Sequence, residues 1–499
     1  MSFQSFRFGA FLFAALCTYF VVPKKFRLWV ILAANMVFFL YADQRAGVWL
    51  LFSILSTWAA GLLLGRWKER GLRRWILLGC LACNLGLLVV FKYLPVWDSL
   101  INSALGHGIN TVHLDVAERF GLAVPLGISF YTLQAAGYLL DIYMGKYEPE
   151  KNPVKYGVFV SFFPNILSGP IERGGHFIGQ LDRVLAAKRR ELLSYDRIAQ
   201  GMISVLLGYF MKMVIADRTA LLVDYLYSVY QNGNSFTMLM AALFYAVQIY
   251  CDFASYSCIA VGIAQIMGFE LTRNFRQPYF AAGFSDFWRR WHISLSSWLR
   301  DYIYIPLGGN RRGIVRKEIN MILVFFVSGL WHGGAPTFLL WGLLYGILLA
   351  AEDLGKRAGK KLFGEKKLPF SSVRKGIACL GTFLTVTCLW IIFRSETLEM
   401  AAVCLKNLFT RWQGFYFVKD FIFAMGLDRT EFLIAVASII FLFLLDFVSE
   451  VKKAEASAWI YASPLAVRWG ICLFLLGAVF VFGMYGPGFN ASSFIYVNF

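Results

Sequence analysis

Two histidines and a row of arginines are the residues through which this chain could do chemistry. His332 stands in INMILVFFVSGLWHGGAPTFLLWGLLYGILLA, an apolar run in which an imidazole needs a polar partner or a cavity, because hydrocarbon offers neither. Trp331 precedes it and Gly333-Gly334 follow, and paired glycines let another chain or a ligand approach the backbone closely. Neutral imidazole near pH 7 is suited to taking the proton of an attacking hydroxyl, which acyl transfer from a thioester to an alcohol requires. A hydrogen bond between helices would meet the same physical demand, so both uses stay open. His292 is a second candidate, either as a polar group that steadies a developing oxyanion or as a ring packed on Trp291.

The arginines belong to DFWRRWHISLSSWLRDY, residues 286–302, which is too apolar for a loop and too polar for a membrane span. At 100° per residue Trp288, Trp291, Leu295, Trp298 and Tyr302 share one face, while Arg289, Arg290, Ser296, Ser297, Arg300 and Asp301 share the other. The pattern predicts an interfacial helix over 286–302, lying in the membrane plane with its aromatics buried. Its guanidiniums serve either lipid phosphates or, with Arg311 and Arg312 after Pro306-Leu307-Gly308-Gly309, the phosphates of an anionic donor.

These segments must be positioned by elements whose solvent is lipid. Of 499 residues 59% are hydrophobic and 16% charged, and the mean hydropathy is +0.60, more apolar surface than a soluble fold can bury. Spans are predicted near 8–22, 27–42, 47–65, 75–93, 121–141, 199–216, 236–268, 318–333, 337–353, 376–393, 431–449 and 466–486. That makes about 11–12 crossings, good to about two because the 318–353 pair can also be drawn as a re-entrant hairpin instead of two full crossings. Val158 to Ser168 is too short to cross comfortably and is expected to be re-entrant or interfacial. The first stretch lacks a small-residue cleavage site and is read as a retained span. Lys24 to Arg27 and Arg66 to Arg74 mark the cytoplasmic side, which puts both termini outside, and the Lys- and Arg-poor stretch Pro95 to Phe120 is expected outside too.

The net charge of +18 is spread in short basic runs between spans and surrounds no nucleic-acid-binding module, so it reports membrane orientation and anionic lipid, not nucleic acid. The nine cysteines lie almost entirely in apolar runs, and the five histidines have no metal-ligand spacing, so no metal is predicted.

Taken together, ISFYTLQAAGYLLDIY at 128–143, FFPNILSGPIER at 162–173, QIYCDFASYS at 248–257, FWRRWHISLSSWLRDYIYIPLGGNRRG at 287–313, SGLWHGG at 328–334 and the terminal FIYVNF resemble the membrane-bound O-acyltransferases. The resemblance is specifically to the bacterial branch that holds the alginate O-acetyltransferase membrane subunit and the teichoic acid D-alanyl transfer protein. The resemblance implies an all-α polytopic transmembrane bundle with re-entrant and interfacial helices around a central funnel. It implies His332 as the catalytic histidine and His292 as the second histidine near the tunnel. Trp331, Trp291 and Asp252 are read as tunnel or supporting residues, Asp252, an acid within a span, serving either to pair with a tunnel group or as a satisfied helix-packing carboxylate. Arg289, Arg290, Arg300, Arg311 and Arg312 are then expected on the donor side. Acetyl-CoA is the implied donor, in a bacterial cytoplasmic membrane, and an SGNH-hydrolase-like exoplasmic partner is the implied relay to a polysaccharide. Two positions depart from the family's pattern: Cys258, where an aspartate is expected, and Tyr345, where a histidine is frequent.

On this reading the chain divides into an N-terminal bundle (1–120), a catalytic core (121–355) and C-terminal helices (356–499). A D-alanyl transferase fed by a carrier protein is the rival enzyme. A polymer transporter or flippase is the rival from another class, and it lacks an inverted repeat. Glu172 and Arg173 suit capping and pairing, and His107, His113 and His176 suit surface loops.

Overall fold

The structure, a computed structural model, describes residues 3–42, 44–93, 124–363, 371–412, 423 and 425–485. Pro95 to Phe120 with His107 and His113, and the terminal FIYVNF, lie outside these residues. Among the described residues every regular element is helical.

The chain runs through α1 (Phe6–Val21), α2 (Arg27–Ala42), α3 (Ala46–Arg66), α4 (Arg70–Lys92), α5 (Ile128–Tyr143), α6 (Pro153–Ser161) and α7 (Gly174–Ala186). There follow α8 (Tyr195–Tyr209), a π turn (Phe210–Ala216), α9 (Asp217–Ser228), α10 (Ser235–Met267), α11 (Phe284–Trp288) and α12 (Ile293–Leu299). The last elements are α13 (Ile314–His332), α14 (Pro336–Phe363), α15 (Ser371–Arg394), α16 (Leu398–Thr410), α17 (Arg429–Lys452), α18 (Ala456–Ala462) and α19 (Leu465–Phe482). Local chemistry sets several starts. Ser5 caps α1 through the Phe8 amide, Asn152 caps α6 ahead of Pro153, and Asp428 caps α17 through the Glu431 amide.

Each of the twelve predicted spans corresponds to a helix, and eight helices among the described residues are long and apolar enough to cross a membrane. The exceptions have plain causes. Helices α1, α2 and α5 have 16 residues each, and that length gives about 24 Å against a hydrocarbon thickness of about 30 Å. Helix α13 has 19 residues but opens with the charged IVRKE.

Contacts group residues 3–198 with Ile263–Thr272 in one unit and residues 199–262 with 273–485 in another. The three-part division drawn from the sequence is one of role and makes a different cut. In the first unit the segment expected to be irregular, Val158 to Ser168, is helical to Ser161 and then turns, and it is buried along its whole length. Its backbone is satisfied by protein: Asn35 Oδ1 accepts from the Phe163 amide at 3.0 Å, and Asn165 Nδ2 donates to the Pro170 carbonyl at 3.1 Å. Non-helical chain among membrane helices needs such cover.

In the second unit α13 and α14 form a hairpin packed at backbone distance. A Cβ on Gly329 would lie 2.4 Å from the Phe338 carbonyl oxygen, and one on Gly342 would lie 2.4 Å from that of Phe325. No side chain fits at either crossing, so this hairpin fixes where the end of α13, and His332 with it, stands.

Candidate active site

His332 is the last residue of α13 and is 2% exposed. Four rings wall its imidazole: Trp331 at 4.9 Å, Phe393 at 5.1 Å, Trp341 at 5.3 Å and Phe338 at 6.3 Å between centroids. Trp341 and Phe393 meet it edge to face, at 90° and 83°. Of the polar partner or cavity that the sequence requires at this residue, the cavity is closed off at the ring itself by these four side chains.

The predicted helix over 286–302 is a correction. The chain forms α11, breaks at Arg289 to His292, forms α12 and continues as a π turn, Arg300–Tyr304. The break comes from a distant segment. The Asn274 carbonyl accepts from the Ile293 amide at 3.0 Å, its side-chain oxygen accepts from Ser294 Oγ at 2.6 Å, and the Arg290 carbonyl accepts from the Arg276 amide at 2.9 Å. These bonds take up groups that a continuous helix would use, and they hold His292 in the left-handed region at φ 43°, ψ 52°. That conformation is costly for a residue with a Cβ and persists only when its surroundings impose it. The predicted buried face survives the break: Trp288, Trp291, Leu295, Trp298 and Tyr302 are all buried.

The break turns His292 inward, where it is 1% exposed and packs edge to face on Phe253 at 4.6 Å. It also meets Trp331 at 5.7 Å, so the Trp331 indole touches both imidazoles. Burial alone pushes the His292 imidazole down to about 3, so it is neutral at physiological pH. Trp291 supports the cage from behind. It packs on Trp390 at 5.0 Å with the rings tilted by 47°, and Trp390 lies 5.8 Å from Trp341 and 5.4 Å from Phe393.

Asp252 has a different setting. The Lys212 Nζ, in the π turn after α8, lies 2.5 Å from the Asp252 carboxylate on α10 and 3.0 Å from that of Asp217, and all three residues are buried. Beside them Arg218 pairs with Glu431 and donates to the Val214 and Phe482 carbonyls.

The five arginines separate into three groups. Arg289 and Arg300 line a cavity of about 300 Å³ together with Trp288, Ser296, Ser297, Tyr304 and Ser328. Ser328 is one helical turn before His332 on α13. Arg290 is turned elsewhere, bidentate on Glu450 at 2.6 and 3.1 Å and 3.0 Å from Asp286. Arg311 and Arg312 are exposed after the turn at Gly308 and Gly309, both at positive φ.

Ser328 was not singled out from the sequence, nor were Thr337 and Trp341. The Ser328 and Thr337 hydroxyls, the Trp288 and Trp341 indole nitrogens and the Tyr345 hydroxyl are buried and have no hydrogen-bond partner among the described residues. Trp288, Trp341 and Tyr345 meet ring to ring at 5.0 to 5.7 Å, against the His332 cage. Their signal was present as spacing, Ser328 to His332 and Trp341 to Tyr345 each being i, i+4. Among the described residues no group of His, Cys, Asp or Glu is arranged to hold a metal ion.

The model of the membrane-bound O-acyltransferase family matches residues 151–391. "Probable alginate O-acetylase AlgI" of Pseudomonas syringae pv. tomato is 33% identical over 441 residues, 87% of this chain and 80% of that protein. The peptidoglycan O-acetyltransferase of Helicobacter pylori is 33% identical over 407 residues, 77% of this chain and 73% of its own length. The teichoic acid D-alanyltransferase of Bacillus subtilis is 30% identical over 285 residues, 54% of this chain and 69% of its own.

Proposed function

This chain belongs to the membrane-bound O-acyltransferase family and is an integral multi-pass membrane acyltransferase; from that premise we propose that it carries acetyl groups from cytoplasmic acetyl-CoA to a hydroxyl on the far side of the membrane. The observation that carries this reading is a cavity lined by Arg289, Arg300 and Ser328, the last one helical turn from His332. Guanidiniums in its wall suit the donor's phosphates, and Ser328 in the same wall puts the bound donor beside the turn that carries His332. Arg311 and Arg312 extend the positive field, while Arg290 anchors α11 through Glu450. The acetyl reading is preferred to D-alanyl transfer because the match to the acetylating relatives covers far more of the chain.

In the proposed step the acceptor oxygen attacks the thioester carbonyl as His332 takes its proton. The tetrahedral intermediate collapses with cleavage of the C–S bond. The imidazolium then gives its proton to the departing thiolate, leaving an acetyl ester and a free thiol. His292 steadies the developing oxyanion across Trp331. Since rings close the cage, one of them turns aside to admit substrate, and Trp331, touching both histidines, is best placed to do so. Trp291 and Asp252 hold the surrounding frame.

The acceptor is a cell-surface polysaccharide or an SGNH-hydrolase-like relay protein, in a bacterial cytoplasmic membrane with both termini outside. The test is acetyl transfer from acetyl-labelled CoA by His332→Ala at matched protein level, with a D-alanyl-loaded carrier protein as the rival donor. Loss of label in the acceptor is expected. Transfer near the wild-type level removes the proposed chemistry, and preference for the carrier replaces the donor.

A further inference from the structure

A second cavity, remote in sequence from both histidines and lying wholly in the first unit, has a composition that acyl transfer does not explain. Its volume is about 680 Å³, and Arg66, Lys68, Arg73, Lys146 and Lys151 line it against a single acid, Glu148. The cavity lies where α3 ends, α4 begins and α5 ends.

The fold builds it deliberately. Helix α5 ends at Tyr143, Gly145 follows at φ 72°, and the chain then doubles back across the end of α3. There Pro149 packs so closely on Gly65 that a Cβ would lie 2.5 Å from the proline ring. Arg73 donates to the Ile142 and Tyr143 carbonyls, both at 3.1 Å, which satisfies the end of α5 and fixes one cation in the wall. Its Nε is buried and has no partner among the described residues. Lys146 leans toward Asp141 at 3.6 Å. Arg66, Lys68 and Lys151 make no ion pair among the described residues, although each lines the same space.

Membrane orientation accounts for the sign of these charges. It does not account for five cations converging on one cavity against one lining acid, with Arg66, Lys68 and Lys151 in no ion pair among the described residues, since such an excess repels itself unless an anion joins it. The lining also includes Leu62, Leu64 and the Trp67 indole, and the neighbouring Leu63 and Trp67 are 43% and 46% exposed. A charged chamber beside apolar surface at the end of a membrane helix suits a headgroup whose tails remain in lipid.

We propose that this cavity binds the phosphate of an anionic ligand, held by Arg66, Lys68, Lys151 and Arg73. An anionic phospholipid and a soluble phosphate ester carry the same chemistry, and the experiment separates them. The purified full-length protein is mixed with phosphatidylcholine and phosphatidylglycerol, and the bound lipids are counted by native mass spectrometry. Wild type is expected to prefer phosphatidylglycerol, and the triple variant Arg66→Gln, Lys68→Gln, Lys151→Gln to lose that preference at least about tenfold. Its thermal unfolding is expected to match wild type, because the three side chains make no ion pair within the fold. In the second arm sodium pyrophosphate is titrated against both proteins. Binding to wild type alone, with displacement of lipid, supports the phosphate site and makes its source soluble. Equal phosphatidylglycerol retention by the two proteins, with pyrophosphate bound by neither or by both alike, overturns the proposal. Neither arm reads acetyl transfer, so failure here leaves the role of His332 untouched.

Discussion

The second unit buries two polar constellations in opposite ways. Around Lys212 the charges are answered by protein: the ammonium lies between Asp252 and Asp217, and the neighbouring Arg218 pairs with Glu431 and two carbonyls. Around His332 the groups are uncharged or ring-walled, and five nearby hydroxyl and indole groups have no hydrogen-bond partner among the described residues. Buried polarity alone therefore does not mark a reacting centre. A closed account of partners marks a strut, because breaking it strands a charge in low dielectric. An open account marks a place where substrate groups can complete the bonding.

That contrast can be broken by exchange of phenotypes. The largest expected effect is on chemistry: His332→Ala lowers kcat by about 10² to 10⁴, with unfolding temperature and protein level near wild type. If activity survives, the two constellations do not differ as argued. Next, Lys212→Met strands two buried carboxylates and should cost about 3 to 5 kcal/mol of stability. Thermal unfolding in detergent would register this, while the folded fraction keeps its turnover. A stable but inactive Lys212→Met would instead place that cluster in the reaction.

Smaller effects sharpen the boundary of the site. Arg289→Gln with Arg300→Gln should raise KM for the acyl donor by roughly tenfold, with kcat little changed, since the lost interaction is with the ground state as much as the transition state. The same pair of changes leaving KM unmoved would detach the cavity from the donor. The smallest effect concerns pH. The His292 imidazole is held below its unfolded value, so on acidification the unfolded chain takes the proton first and stability falls between about pH 6.5 and pH 3. His292→Asn, which tolerates the left-handed backbone, should flatten that fall in unfolding temperature by a few degrees. An identical pH slope in the variant would mean that His292 contributes nothing to it.

Much of this was legible in the sequence. The apolar windows correspond to helices, the aromatic stripe of 286–302 is the buried face, and SGLWHGG singled out a histidine that the fold does bury. The single interfacial helix was not borne out, because the bonds that break it come from Asn274 and Arg276, outside the window in which its periodicity was read. Arg290 looked like its neighbours until Glu450, 160 positions away, claimed it. Ser328, Thr337 and Trp341 were overlooked because hydroxyls and indoles in an apolar run read as ordinary helix residues.

By itself the sequence determined that the chain lives in lipid, where its helices lie and which face of the arginine segment is buried. Those properties depend on hydropathy and spacing within a few turns. Only the tertiary structure decided where the arginine segment breaks, which arginines remain available, and which buried polar atoms are left without partners. Each of those outcomes depends on a group supplied from elsewhere in the chain, and no local pattern specifies it.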